Sequence, residues 1–131
     1  MDMPAVNQLL SSVDGDLHQL NPEEFLVAED VDGAVIGCGR LRPYPAFCEI
    51  ASLAVGESAR TRGLGRAIVA GLLDRYPDTV HLMCEDRLVD FFKSFGFRPV
   101  PQEDMPQGLR PKWQYYADKA GPMNIMVRSE A

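Results

Sequence analysis

The sequence predicts a mixed α/β fold, in which helices pack on a sheet that has parallel strands at its centre. Three observations point there. An apolar segment ending at Val55 runs through a polar turn (Gly56 to Ala59) into an Arg/Gly-rich loop, which opens directly into an amphipathic helix from Leu64 to about Asp74. A further apolar segment, Thr79 to Cys84, follows that helix, and strand, helix and strand in this order make a right-handed crossover with parallel strands. Phe47 to Val55 is apolar on both faces except at Glu49 and Ser52, the pattern of a central strand covered on both sides.

The remaining elements follow in order. Pro4 to Ser12 has a helix-compatible pattern with proline near the first turn, and the turn-rich stretch Asp14 to Pro22 ends it. Phe25 to Glu29 and Ala34 to Leu41 read as strands of an antiparallel hairpin about the turn Asp30-Val31-Asp32-Gly33. That turn lacks the further ligands of a calcium loop. Arg42 to Ala46 is a proline-punctuated connection. On the helix after the loop, Ile68, Leu72 and Leu64 face inward. Asp86 to Ser94 is a short helix with Asp86 as candidate cap and Gly96 as its stop. Phe97 to Val100 starts another strand, and Met123 to Val127 is the last. Between them, Pro101 to Pro122 holds four prolines with Trp113, Tyr115 and Tyr116, and reads as a long aromatic loop packed on a site or a partner.

Composition bounds the function. The 131 residues, 46% hydrophobic and 24% charged, fit a single domain over 1–131 with one core. A formal net charge of −6 argues against nucleic acid as a partner, because phosphate neutralisation needs a basic face. Basic residues are concentrated locally instead, with four arginines between Arg60 and Arg75, which suits a small anionic ligand. Neither a signal peptide nor a membrane span is recognisable, so the expected location is the cytoplasm. The three cysteines, Cys38, Cys48 and Cys84, fit neither a disulfide frame nor a metal site and read as buried thiols.

The loop-to-helix junction is the candidate binding site. The start of a helix presents unpaired N–H groups at the positive end of its dipole, a site for phosphate. Gly63 and Gly65 clear side chains from that backbone, and Arg60, Arg62 and Arg66 add charge around it. The loop lacks the Lys-Ser/Thr of a nucleoside-triphosphate loop and the glycine spacing of a dinucleotide fingerprint. Glu49 is the candidate catalytic residue. A carboxylate in a doubly covered strand is either functional or ion-paired, and burial makes it a stronger proton acceptor. The alternatives for Glu49 are a general base and a salt bridge with Arg40 or Arg42.

Arg60-Thr61-Arg62-Gly63-Leu64-Gly65 resembles the Gln/Arg-x-x-Gly-x-Gly/Ala signature of the GNAT superfamily of acetyl-CoA-dependent N-acetyltransferases. Phe91 to Val100 (FFKSFGFRPV) resembles that superfamily's helix, Gly-Phe and following strand. The stretches LRPYPAFCEIASLAV and GFRPVP, with a Tyr-Tyr segment before the last strand, are most similar to the acetyltransferase domain of N-acetylglutamate synthases. The resemblance implies an acyl-CoA N-acyltransferase fold with splayed central parallel strands and acetyl-CoA as cosubstrate. It also implies a small-molecule amine as acceptor, attacked in a ternary complex, and no metal. The N-terminus is reduced relative to the superfamily, which makes a homodimer through a sheet edge a reasonable expectation.

The resemblance assigns roles residue by residue. The pyrophosphate of CoA sits on the backbone of Arg62, Gly63, Leu64, Gly65 and Arg66, with Arg60 alongside. The pantetheine arm lies along Leu53, Ala54 and Val55, and an N–H of Leu53 or Ala54 holds the oxyanion. Glu49 matches the position of the superfamily's glutamate base. Phe92 lies on the cofactor and stands where many members carry the tyrosine that protonates the leaving thiolate. Tyr115 or Tyr116 is then a candidate acid, unless the thiolate leaves unaided. Lys112, Lys119 and Arg110 are candidate partners for a carboxylate of the acceptor. The other reading is a non-catalytic module that binds acetyl-CoA or another protein.

Overall fold

A computed structural model of the chain describes residues 24–29, 32–56 and 63–129. The expected first helix and its turn, Arg60, Arg62 and most of the polar turn before them lie outside these residues. The chain divides into two compact units, Met1–Arg42 with Ile50–Pro77, and Pro43–Glu49 with Asp78–Ala131.

The first unit is built on the hairpin of β1 (Phe25–Glu29) and β2 (Val35–Pro43), followed in the sheet by β3 (Cys48–Val55). β1 and β2 are antiparallel with Phe25 opposite Arg40 and Val27 opposite Cys38, and the register shifts between Ala28 and Glu29. β2 runs on through Arg42 and Pro43, two residues beyond the strand end expected from the sequence. The helix α1 (Leu64–Arg75) buries Ile68, Val69, Leu72 and Leu73, while Leu64 is half-buried. Gly37 and Gly39, on one face of β2, admit it. A Cβ on Gly39 would stand 2.7 Å from Ile68 Cγ2 and 2.8 Å from Leu72 Cδ1, closer than any side chain tolerates. At the other end of α1, Arg75 Nη1–H donates to the Phe25 carbonyl at 3.0 Å, tying the helix to β1. On β2, the buried Arg40 guanidinium pairs with Glu24 at 2.6 Å and lies over the Phe25 ring.

The second unit holds β4 (Val80–Cys84), β5 (Arg98–Val100) and β6 (Asn124–Arg128) in the order β4-β6-β5, with β6 antiparallel to both neighbours. His81 faces Val127 and Met83 faces Ile125, while Val100 also pairs with Ile125, so these residues share one face. At the start of β3, the Cys48 N–H donates to the Thr79 carbonyl at 3.1 Å. After β4, a 3₁₀ turn at Asp86–Leu88 leads into α2 (Val89–Lys93), which stops at Gly96 with φ of 92°. Asp86 is not the cap. It lies inside the first turn, and its carboxylate accepts instead from Asn124 Nδ2 at 2.7 Å.

The aromatic segment 101–122 is not a loop. It forms 3₁₀ turns at Gln102–Asp104 and Gln107–Leu109 and then α3, Arg110–Ala120. The prolines that read as breakers precede helical turns, where a missing N–H costs nothing: Pro101 and Pro106 before the 3₁₀ turns, Pro111 in the first turn of α3. Leu109 and Trp113, four residues apart on one helical face, bury with Phe47, Met105 and Ile125. Trp113 Nε1–H donates to the Met123 carbonyl at 3.0 Å and pins α3 to the approach of β6.

Candidate active site

In the first unit, the start of α1 has the form of an anion cradle. Gly63 is its N-cap, in the left-handed region at φ 70°, with no side chain capping the helix and open space where a Cβ would stand. The first N–H groups of α1 are therefore uncovered by a cap, and Leu64, Gly65 and Arg66 carry them. The helix has no acidic residue in its first turn to compete with an anion. Arg66 is exposed on that turn.

Within β3, one residue departs from the extended backbone just before the residues expected to hold the thioester. Ser52 is buried yet left-handed, at φ 51°, which costs a non-glycine residue about 1–2 kcal/mol. Such a residue breaks the pleat and turns the following peptides. The Cys38 thiol donates to the Ser52 carbonyl at 3.4 Å, and burial pushes that thiol up to about 11, opposed by a backbone hydrogen bond from Ala54.

In the second unit, Glu49 is 1% exposed and has two oriented donors. Lys112 Nζ on α3 meets Oε2 at 2.8 Å, and the Tyr44 hydroxyl donates to Oε1 at 2.9 Å. Within this unit its charged partner is Lys112. Tyr44 is held for this by a tight turn, its N–H donating to the Phe47 carbonyl at 2.8 Å while its ring stacks on Phe47 at 4.6 Å. A Cβ on Gly108 would stand 3.0 Å from the Tyr44 ring, so the turn before α3 closes on its edge. Neither Tyr44 nor Lys112 was readable as a neighbour of Glu49. Tyr44 carried a signal in the Tyr-Pro-x-Phe turn ahead of the strand; Lys112 is 63 residues away in sequence and carried none.

The other expected residues are dispersed. Tyr115 is 54% exposed, with Lys119 Nζ 4.6 Å from its ring centre, and Tyr116 stands edge-on to it at 5.2 Å. The hydroxyl on Glu49 belongs to Tyr44 and to neither of them. Arg110 lies 3.5 Å from the carbonyls of Gln102 and Glu103, so of the three cations near the aromatic segment Lys112 is the one at Glu49. Phe92 is buried edge-on between Phe91 and Phe97. Cys84 is buried 3.8 Å from Met126 Sδ, and burial, then Asp86 and Glu85, push its thiol up to about 11. His81 packs against the edge of Phe47 at 4.8 Å. Its Nδ1 is buried without a hydrogen-bond partner, and burial, helped by Arg98, pushes its pKa below the ordinary value. Among the described residues, no group of three or more His, Cys, Asp or Glu is arranged to hold a metal ion, and no helix is long and apolar enough to cross a membrane.

A mixed α/β fold with an uncapped Gly-Leu-Gly helix start and a buried carboxylate on β3 defines an acyl-CoA N-acyltransferase architecture. The chain belongs to the acetyltransferase (GNAT) family, whose model matches residues 4–97. It is 36% identical over 91 residues to an uncharacterized N-acetyltransferase of Chlorobaculum tepidum, covering 66% of this chain and 57% of that protein. The chain thus spans a little over half the length of that curated relative. Among solved structures, it is similar to the N-acetylglutamate synthase of Neisseria gonorrhoeae complexed with coenzyme A and N-acetyl-glutamate. The TM-score is 0.76 at 24% identity, over 98% of this chain and 32% of that one. Rv2747 of Mycobacterium tuberculosis, in complex with CoA and NLQ, also has a TM-score of 0.76 at 24% identity, over 99% of this chain and 95% of that one. At this identity the likeness establishes the fold.

Proposed function

We propose that the protein transfers the acetyl group of acetyl-CoA to the primary amine of a small molecule, by direct attack in a ternary complex. The observation that carries this reading is Glu49, a carboxylate 1% exposed and held by two donors, on a strand that also carries Leu53–Val55. The family supports the reaction class. The two neighbours described with CoA support the cosubstrate. The synthase complexed with N-acetyl-glutamate supports an amino acid such as glutamate as acceptor.

In this reading, the pyrophosphate takes the N–H groups from Gly63 to Arg66, and Arg60 and Arg62 add charge. The pantetheine arm runs along Leu53–Val55. Glu49 takes a proton from the acceptor ammonium. The freed amine adds to the thioester carbon, and the N–H of Leu53 or Ala54 stabilises the oxyanion. The C–S bond then breaks as the nitrogen loses its second proton. With Phe92 at the usual tyrosine position, the thiolate leaves without a dedicated acid, as a thiol of pKa about 8.5 can, or takes a proton from Tyr116. Tyr116 is half-buried and follows Lys112 by one turn of α3, which favours it over the exposed Tyr115.

The test is thiol release from acetyl-CoA with a panel of amino acids and amines. Acceptor-dependent release is expected, and Glu49→Gln should lower it about 100-fold. CoA binding with no turnover for any acceptor would favour the second reading, a non-catalytic acetyl-CoA module. Phe92, buried in its aromatic cluster, is the observation that favours that alternative.

A further inference from the structure

Glu49 does not stand ready in this structure. Its Oε2 is tied to the Lys112 ammonium at 2.8 Å, with the two side chains 1% and 10% exposed. Taking a proton there would leave the Lys112 charge buried against a neutral acid. We propose that Lys112 is a latch on the base, opened by an acceptor that carries a free carboxylate beside its amine. This inference rests on the acetyl-transfer reading above and names the class of acceptor that the site selects.

A simple amine arrives as a cation and would meet a second cation, Lys112, at Glu49. A zwitterion inserts without adding net charge: its ammonium takes Glu49 Oε2 and its carboxylate takes the Lys112 ammonium. The helix backbone does not need to move. Leu109 and Trp113 anchor α3 in the core and the Trp113 indole is bonded to Met123, whereas Lys112 sits on a flexible four-carbon stem. Tyr44 keeps Oε1 and the orientation of the carboxylate during the exchange.

Once unlatched, Glu49 takes the ammonium proton, and the amine nitrogen forms its bond to the acetyl carbon. The carbon–sulfur bond breaks with its electron pair on sulfur, and the thiolate takes up a proton as the amide forms. Without an acceptor, the latch keeps Glu49 from drawing a proton from water. Water attack on the thioester would release acetate and CoA by the same bond changes. Lys112 is a specificity-determining residue in this account, and it suppresses that wasteful hydrolysis.

The experiment compares amino acids with their matched carboxamides and decarboxylated amines as acceptors, with acetyl-CoA and the full chain. Wild-type protein should favour the amino acid over both analogues by at least about tenfold in kcat/KM. Lys112→Met should reduce that preference to within about threefold and raise acceptor-independent CoA release several-fold. Lys112→Arg, which keeps the charge, should retain more of the amino-acid preference than Lys112→Met does. Where Lys112→Met does not fold, the wild-type comparison and Lys112→Arg decide. Equal turnover of amino acids and matched amines overturns the latch and leaves acetyl transfer standing. Absence of thiol release with every amine overturns both.

Discussion

Replacing Lys112 by methionine removes the cation from a carboxylate that is 1% exposed, and the energetic consequence can be worked through. The Tyr44 hydroxyl remains on Oε1, but Oε2 loses its charged donor in a site closed to water. Breaking a buried pair from one side costs about 3–5 kcal/mol, a large part of the roughly 5–15 kcal/mol that holds a domain folded. Glu49→Gln costs less, about 1–3 kcal/mol, because the amide oxygen still accepts from Tyr44 and the lysine stem can turn its ammonium outward. The double variant removes both charges, and a buried pair replaced by neutral groups is often close to neutral in stability. The two substitutions together should therefore cost about 1 kcal/mol, leaving a coupling of about 3 kcal/mol or more. Urea unfolding of the four proteins at one pH measures it. Additivity within about 0.5 kcal/mol would show that the two charges do not meet in solution, and the reasoning on the latch would fall with it.

Further expectations follow from the same geometry. Gly63→Ala has room for its Cβ but must hold φ near 70°, so it should lose about 1 kcal/mol and weaken CoA binding in calorimetry several-fold. Unchanged affinity would count against the cradle. Gly39→Ala would put its Cβ 2.7 Å from Ile68 and should lower the urea midpoint by the equivalent of about 1–3 kcal/mol. Cys38 and Cys84, each pushed up to about 11, have roughly one thiol in a thousand ionised at pH 8, so a disulfide reagent should modify them on unfolding and not before. Prompt labelling of either in the native protein would refute their burial. His81 is held below 6.5 by burial, so the unfolded chain binds a proton there that the folded chain refuses. Stability should fall as pH drops from 6.5 through that lowered value. A His81→Leu variant should show a smaller acid loss, and an identical pH slope would sink the assignment.

Much of the fold was legible because it rests on local pattern. Phe25–Glu29 and the helix from Leu64 carry their signals within a few residues: a short apolar run in one, a glycine start and a 3.6-residue apolar stripe in the other. Gly63 was readable for the same reason, since a helix start is announced by the residues around it. The segment 101–122 misled because its prolines speak for breakage until their positions are known. Pro111 lies in the first turn of α3, where the ring fits, and the face made by Leu109 and Trp113 becomes apolar only against Phe47 and Ile125.

By itself the sequence determined the order of the described strands and the helices that begin at Leu64 and Val89, and it singled out the Gly-Leu-Gly helix start and the carboxylate of Glu49 as candidates. Tertiary structure alone decided what surrounds that carboxylate. Lys112 reaches Glu49 across 63 residues because Trp113 and Leu109 lock the helix that carries it, and Tyr44 reaches it because its ring is clamped by Phe47 and Gly108. Helices and turns are written in nearest-neighbour preferences, whereas a buried charge finds its partner through packing between segments distant in the chain. No short-range pattern encodes that choice.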